Sequence, residues 1–409
     1  MPRLTRLIYL SRLRMLFSKN KNLKNFSSGN NITLIKGGGE YFTVLENLID
    51  EAKKSIHLHS YIFTADNIGT KIIDALKKSA KSGVVVFVLV DTIGSFDLSS
   101  KVVEDMRKSG IHFRFFLPLL SREGFHFGRR LHQKVIVIDS KKTMVGGINI
   151  ADRYLGNKQK KAWFDFAVLV EGDIAREINN ICASIWEKKF TKKHWHQKNK
   201  KKYQLIKTSK PLIKNSLVRV RENDWTRHRL DISKSYKYVF KNAENYITII
   251  GAYFLPSRTL RKLIKKASGR GVKINVILSQ ESDEKVFKLA MNHLYGWFIR
   301  YNIKIYEYKP SVVHAKAAVS DNIWTTIGSH DLNFLSTYGL VEMNVEVLNK
   351  EFALNFKKEL DEIIKKDCVR ISVQSIRKKW MTERIVEWFA YHVMRVSFWI
   401  LTFLTVKEE

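Results

Sequence analysis

Two stretches of this chain lay down apolar runs and amphipathic segments in the same order. SIHLHSYIF (Ser55–Phe63), a helical periodicity over 72–82 and GVVVFVLVD (Gly83–Asp91) form a strand, helix, strand unit, and YITIIGAYF (Tyr246–Phe254), 260–270 and GVKINVILS (Gly271–Ser279) repeat it. Short, nearly continuous apolar runs bounded by turn residues predict strands buried on both faces. Their alternation with helices predicts an α/β fold, with a mixed, largely parallel sheet flanked by helices in each half. Gly83 and Gly271 lie 188 residues apart, and His132 and His314 lie 182 apart. Two halves that keep nearly one register indicate a duplicated unit.

The pattern divides the chain into two similar lobes, 40–187 and 216–372. Three further segments complete it: a basic amphipathic stretch over 1–39, a basic linker over 188–215 and an apolar tail over 373–409.

Chemistry concentrates where the repeat is sharpest. LHQKVIVID (Leu131–Asp139) carries His132, Lys134 and Asp139, and VHAKAAVSD (Val313–Asp321) carries His314, Lys316 and Asp321. A glycine step follows each, Gly146-Gly147 and Gly328-Ser329, seven residues after the Asp. His and Lys two apart on an extended segment project from one face and reach one anion. Two such segments supply two lysines to neutralise a phosphodiester, and two imidazoles, one to attack phosphorus and one to protonate the departing alcohol. That chemistry calls for no metal and no cofactor.

The doubled HxKxxxxD, together with GGINIADRY (Gly146–Tyr154), WFDFAVLVEG (Trp163–Gly172), RENDWTRHRLDI (Arg221–Ile232) and GSHDLNFLS (Gly328–Ser336), resembles the phospholipase D superfamily, and within it the short bacterial cardiolipin synthases. The resemblance runs from about Glu40 to about Cys368. It implies a two-lobed fold with one motif per lobe, the lobes related by a pseudo-twofold axis, and a phosphohistidine intermediate formed at the site between them. It also implies roles: His132 as nucleophile and His314 as general acid and base, an assignment that the near-symmetry allows to be reversed, with Lys134 and Lys316 on the phosphoryl oxygens. Asn149 matches the family's asparagine beside them. Asp165 and Glu342 match the acids that fix the imidazole tautomers, and Asp139 and Asp321 are expected as anchors. Arg129 and Arg130, entering the first motif among Phe125 and Phe127, and Ser329 are expected to contact substrate.

The second half departs from that pattern. Where relatives read Gly-Ser, any residue, Asn, Leu, Asp, this chain has Asp331 and Asn333 exchanged, and Leu340 stands where relatives often carry Asn. A carboxylate at Asp331 would repel a phosphodiester unless it is turned away or paired with a lysine. Asn333, on the same strand face, is a candidate to supply the amide instead.

Charge and hydropathy bear on the partner. A net charge of +33 suits nucleic acid or anionic lipid equally. Placement favours lipid. Residues 1–39 hold no acid and set Leu4, Leu7 and Ile8 against Arg3, Arg6, Arg12 and Arg14, the pattern of a surface helix. A transit peptide or a basic tail shares this composition. Lys188–Lys202 carries eight lysines, and Trp388–Val406 is apolar except for His392 and Arg395, better suited to an interface than to a span. Cys182 and Cys368 are too few for a disulfide framework, which indicates a reducing compartment. The expectation is a peripheral enzyme on the cytoplasmic face of a bacterial cell membrane, joining two phosphatidylglycerol molecules into cardiolipin. Other donor or acceptor lipids, a nuclease and a non-catalytic lipid binder are the alternatives. No nucleic-acid partner is expected.

Overall fold

The computed structural model describes residues 25–116, 120–121, 124–125, 129–157, 159–187, 216–224, 227, 229–377 and 379–406. The expected surface helix over 2–17, the basic linker, and Phe127 of the first motif's approach lie outside them, and Phe125 is described by its backbone alone.

In the first lobe the order is β1 (Ser27–Lys36), α1 (Gly37–Glu51), β2 (Ser55–Ser60), α2 (Asn67–Lys81), β3 (Val85–Asp91), α3 (Ser100–Lys108) and β4 (His112–Phe116). A small hairpin, β5 (Leu120–Ser121) and β6 (Gly124–Phe125), precedes β7 (Arg130–Leu131), β8 (Val135–Ile138), β9 (Lys142–Gly146), β10 (Phe166–Glu171) and α4 (Asp173–Glu187). The second lobe runs β11 (Ser216–Asp224), β12 (Arg229–Leu230), α5 (Asp231–Asn242), β13 (Tyr246–Gly251), α6 (Arg258–Gly269), β14 (Lys273–Ser279), α7 (Lys285–Arg300) and β15 (Lys304–Tyr308). It continues through β16 (Lys316–Ser320), β17 (Trp324–Gly328), α8 (Phe334–Tyr338), β18 (Leu340–Leu348), α9 (Lys350–Asp367) and β19 (Cys368–Arg370) to α10 (Val373–Arg377) and α11 (Met381–Val406).

The ladders follow the repeat. Parallel pairing within each lobe runs through β2–β3–β4 and β13–β14–β15, the two units with helical crossovers, and a short parallel contact of β7 with β18 joins the lobes. Beside β2 the strands β8, β9, β10 and β1 pair antiparallel, as β16, β17, β18 and β11 do beside β13. The sheet is thus mixed as expected but less parallel than the apolar runs suggested, because tight turns join β8 to β9 and β16 to β17. The lobe boundary also shifts. Ser27–Lys36, assigned to the basic segment 1–39, is an integral strand that joins β10 on one side and β11 of the other lobe on the other.

Alternation along the motif strands feeds two cores at once. Ile136 and Ile138 pack in the outer core of the first lobe with α1 and α2, whereas Val135 and Val137 face a second cluster shared by both lobes. On β16, Ala318 faces the outer core of its lobe while Ala317 and Val319 face the shared one. Strands covered on both faces need apolar residues at consecutive positions, which accounts for the unbroken runs. The shared cluster mixes residues from the two lobes, among them Phe166, Ile178, Ile250, Met343 and Phe356, so the interface is part of the hydrophobic core.

The tail forms α11, which rests on α7 through Ala390 and Tyr391, the latter stacked on His293 at 4.8 Å. Its other face leaves Ile385, Trp388, Phe389 and Val396 exposed.

Asp139 and Asp321 occupy the turns that follow the motif strands, with φ of 52° and 49°, and Ser140 and Asn322 behind them are also left-handed. Two consecutive positive φ values are what a tight hairpin needs, and Asp and Asn tolerate them. Each carboxylate then ties the turn to the start of the neighbouring parallel strand. Asp139 accepts from the N–H groups of Lys53, Lys54 and Ser55 at 3.0, 2.7 and 2.9 Å, and Asp321 from Glu244, Asn245 and Tyr246, each at 2.9 Å. These contacts tie each motif turn to the strand beside it. Replacing either aspartate by Ala is expected to cost about 2–4 kcal/mol of stability, with activity per folded molecule little changed. Urea denaturation beside a lipid-turnover assay checks this, and a collapse of turnover in a fully folded variant would contradict it.

Candidate active site

Both His-x-Lys segments run beyond the end of a parallel strand and cross to the opposite lobe. β7 pairs with the start of β18, and the N–H of His132 donates to Val341 O at 2.9 Å. In mirror fashion Phe164 bridges to Val313, and the N–H of His314 donates to Phe164 O at 2.8 Å. In each case the accepting carbonyl belongs to the residue just before an acid. The acid therefore faces the ring: His132 Nδ1 lies 3.0 Å from both oxygens of Glu342, and His314 Nδ1 lies 2.8 Å from Asp165 Oδ2. Each histidine is thus held by a carboxylate of the other lobe.

The glycine steps make room for this. A Cβ on Gly147 would stand 2.5 Å from Asp165 Oδ2, so a side chain there would displace the carboxylate. The counterpart, Ser329, turns its hydroxyl to Glu342 and donates to it. Ser329 thus orients the acid.

Aromatic rings complete the walls. Tyr61 meets His132 edge-on at 5.0 Å, Tyr154 meets His314 at 5.4 Å, and Trp163 lies tilted beside His314 at 5.9 Å. Asn149 Nδ2 donates to the Tyr154 hydroxyl at 2.6 Å, and that hydroxyl lies 3.3 Å from His314 Nδ1. The sequence reading did not single out Tyr61, Tyr154 or Trp163, although Tyr154 and Trp163 stand inside quoted motifs. Aromatic residues beside strand ends give no signal that separates wall from core.

Lys134 and Lys316 are buried, and each ammonium donates to the carbonyl of its own motif histidine. Burial pushes Lys134 down to about 7. Burial, reinforced by the two ammonium groups, holds both imidazoles well below their ordinary range, and His314 also feels His132. Burial pushes the Asp165 and Glu342 carboxyls up to about 7. In each pair the carboxylate engages Nδ1, which orients the ring and leaves Nε2 as the reactive nitrogen. Two imidazoles, two ammonium groups and two orienting acids in one water-poor space can bind a phosphodiester, attack it and protonate its leaving group.

Three further expectations change, and a fourth is met. Arg129 and Arg130 do not line an open mouth. Arg130 is buried against Asp91, at 3.1 Å, and Arg129 reaches across the lobes to Asp224, with Nε 2.9 Å from Oδ1. Both carboxylates are wholly buried and require a countercharge. Asn333 does not supply the amide, since its Oδ1 caps α8 by accepting from Ser336 N–H at 2.8 Å. Asp331 is paired with Lys316, 3.3 Å away, which is one of the two ways in which its charge was expected to be tolerated.

Comparison with known proteins places this arrangement. A family model described as "Cardiolipin synthase, PLD-like domain" matches residues 45–186 and 236–364. The chain is 30% identical over 374 residues to cardiolipin synthase B of Salmonella typhimurium, covering 90% of this chain and 88% of that protein. It is 28% identical over 373 residues to cardiolipin synthase B of Escherichia coli K12, covering 91% and 89%. Among solved structures, phosphatidylserine synthase of Haemophilus influenzae superposes with a TM-score of 0.70 at 15% identity, over 94% of this chain and 98% of that one, a likeness of fold.

Lys134 offers a test of the site's electrostatics. In the unfolded chain a lysine keeps its proton up to about 10.4. Below about 7 both states are protonated and the folded protein bears the full cost of a buried cation; that cost is lost as pH rises toward the unfolded value. Lys134→Met is therefore expected to raise stability by on the order of 2–4 kcal/mol near about pH 6 and by much less near about pH 10. Urea midpoints at the two pH values check it, and an equal gain at both would contradict it.

Proposed function

The chain belongs to the phospholipase D-like cardiolipin synthase family, and we propose that it forms cardiolipin by transferring a phosphatidyl group between two phosphatidylglycerol molecules, with release of glycerol. The observation that carries this reading is the crossed arrangement of His132 with Glu342 and His314 with Asp165, which joins two complete His–Lys sets in one site.

In the first step His132 Nε2 attacks phosphorus while Lys134 and Lys316 hold the non-bridging oxygens, and His314 gives a proton to the departing glycerol oxygen. Glu342 stabilises the positive charge that develops on the attacking ring. In the second step His314 takes the proton from a hydroxyl of the second phosphatidylglycerol, whose oxygen displaces His132 from phosphorus. Water in that position gives phosphatidic acid by hydrolysis. Labelled phosphatidylglycerol vesicles test the reaction. Turnover is expected to fall at least about a thousandfold in His132→Ala and in His314→Ala, with the trapped phosphoryl adduct mapping to His132 by mass spectrometry. Cleavage of single-stranded DNA without lipid turnover would overturn the reading.

The enzyme acts as a peripheral protein on the cytoplasmic face of the cell membrane. Among the described residues no helix is long and apolar enough to cross a membrane. Support for surface binding comes from α11, where Trp388 and Phe389 are 52% and 62% exposed on the face turned away from α7, with Arg384 and Arg395 on the same helix. Indole and phenyl rings favour the headgroup level, and arginines favour anionic lipid. Trp388→Glu with Phe389→Glu is expected to weaken binding to phosphatidylglycerol vesicles at least about tenfold while sparing turnover of detergent-dispersed substrate. Cosedimentation checks this, and unchanged vesicle binding would contradict it.

A further inference from the structure

The two half-sites match closely until one terminal atom. Asn149 and Asp331 both stand three residues after the first glycine of their step, Gly146 and Gly328. Each gives one oxygen to an equivalent backbone group just past the central parallel strand. Asn149 Oδ1 accepts from Ile62 N–H at 3.0 Å, and Asp331 Oδ1 accepts from Tyr253 N–H at 3.0 Å. The other terminal atom differs. In the first half it is an amide nitrogen that donates to the Tyr154 hydroxyl; in the second it is a carboxylate oxygen 3.3 Å from Lys316 Nζ. The ammonium that is to hold a phosphoryl oxygen is therefore already matched by a negative charge, in a space where both side chains are almost wholly shielded from water.

A phosphodiester arriving at Lys316 would set a second anion beside Asp331. Two anions on one buried ammonium repel strongly, and the ordinary resolution is protonation of the carboxylate. We propose that Asp331 makes anion capture at Lys316 proton-linked: as the phosphoryl oxygen binds, the Asp331 carboxylate takes one proton from solvent. Its Oδ2 then changes from an acceptor to an O–H donor, which restores in the second half the kind of donor that Asn149 presents in the first. The balance is one carboxylate and one proton giving one carboxylic acid, with the charge of the bound ester unchanged.

The surroundings make this proton accessible. Burial pushes Asp331 above the ordinary carboxylate range, and Lys316 opposes that rise. The charged and titratable groups that act on it, or on which it acts, come from every packed element: Lys316, Lys134, His132, Glu342, Asp165, Tyr253 and Tyr236. Three of these are themselves displaced to about 7, namely Lys134, Asp165 and Glu342. A pH profile of the wild-type protein alone would mix their ionisations, so the difference made by Asp331→Asn isolates the one in question. Asn is the residue that the same position holds in the first half, and it keeps the oxygen that Tyr253 N–H needs.

The inference deepens the reading that the paired lysines hold a phosphoryl group. Sulfate is a suitable probe, because its own charge does not change across the working range. Titration calorimetry of the full chain in buffers of different ionisation heat, between about pH 5.5 and 8.5, counts the protons taken up on binding. Wild type is expected to take up about one proton more than Asp331→Asn toward the upper end of that range, and Asp331→Asn to bind sulfate about tenfold more tightly there. Equal proton uptake by the two proteins overturns the inference. Sulfate binding that is indifferent to both Lys134→Met and Lys316→Met overturns instead the phosphoryl-site reading beneath it.

Discussion

The structure depends on the exchange of acids between lobes. His132 of the first lobe is held by Glu342 of the second, and His314 of the second by Asp165 of the first. Both carboxylates have no exposed side-chain surface. A buried acid without a partner is costly, and each of these finds its imidazole only when the lobes are joined. The backbone contacts of β7 with β18 and of Phe164 with Val313 fix the register, so ring and acid meet without adjustment. Such preorganisation leaves little to rearrange when a phosphodiester binds.

The same joint is reinforced by apolar packing and by further charge. The shared cluster interleaves Val135, Val137 and Phe166 with Ala317, Val319 and Met343, and Arg129 spans the lobes to Asp224. Placing the reactive groups at a joint that is also a core gives them a rigid, dry surround. It also explains why both imidazoles are pushed down and both carboxyls up: the space that excludes water penalises every isolated charge.

Duplication produced the symmetry, and the departures from it lie within a few residues of each other. Gly147, which yields space to Asp165, is matched by Ser329, which instead donates to Glu342. Ile148 is matched by His330, a buried ring with neither nitrogen in a well-formed hydrogen bond, pushed down to about 4 by burial. Asn149 is matched by Asp331. All three changes fall in the second half, so that half has taken on polar and ionisable groups where the first keeps small, apolar or neutral ones. Two equal half-sites cannot distinguish attack from proton transfer; unequal ones can divide those roles.

Local spacing was legible in the sequence. Period-two alternation placed His and Lys of each motif on one face, the apolar runs marked strands covered on both sides, and the nearly equal spacing of the two halves disclosed the duplication. These are properties of neighbouring residues on one chain segment, so a linear pattern carries them. The resemblance of the motifs, and not their spacing, named Asp165 and Glu342 as tautomer-fixing acids, and the structure shows that each serves the histidine of the opposite lobe. Arg129 and Arg130, beside aromatic residues, suggested a mouth for anionic headgroups, yet buried Asp224 and Asp91 claim them. Asn333 had the right face for an amide but is used to cap α8. Ser27–Lys36 lay in the acid-free stretch that reads as a basic segment, yet it pairs with β10 and with β11 of the other lobe. In each of these cases the outcome turns on which buried charge or unpaired backbone edge meets the residue from a distant part of the chain, and only the folded arrangement decides that.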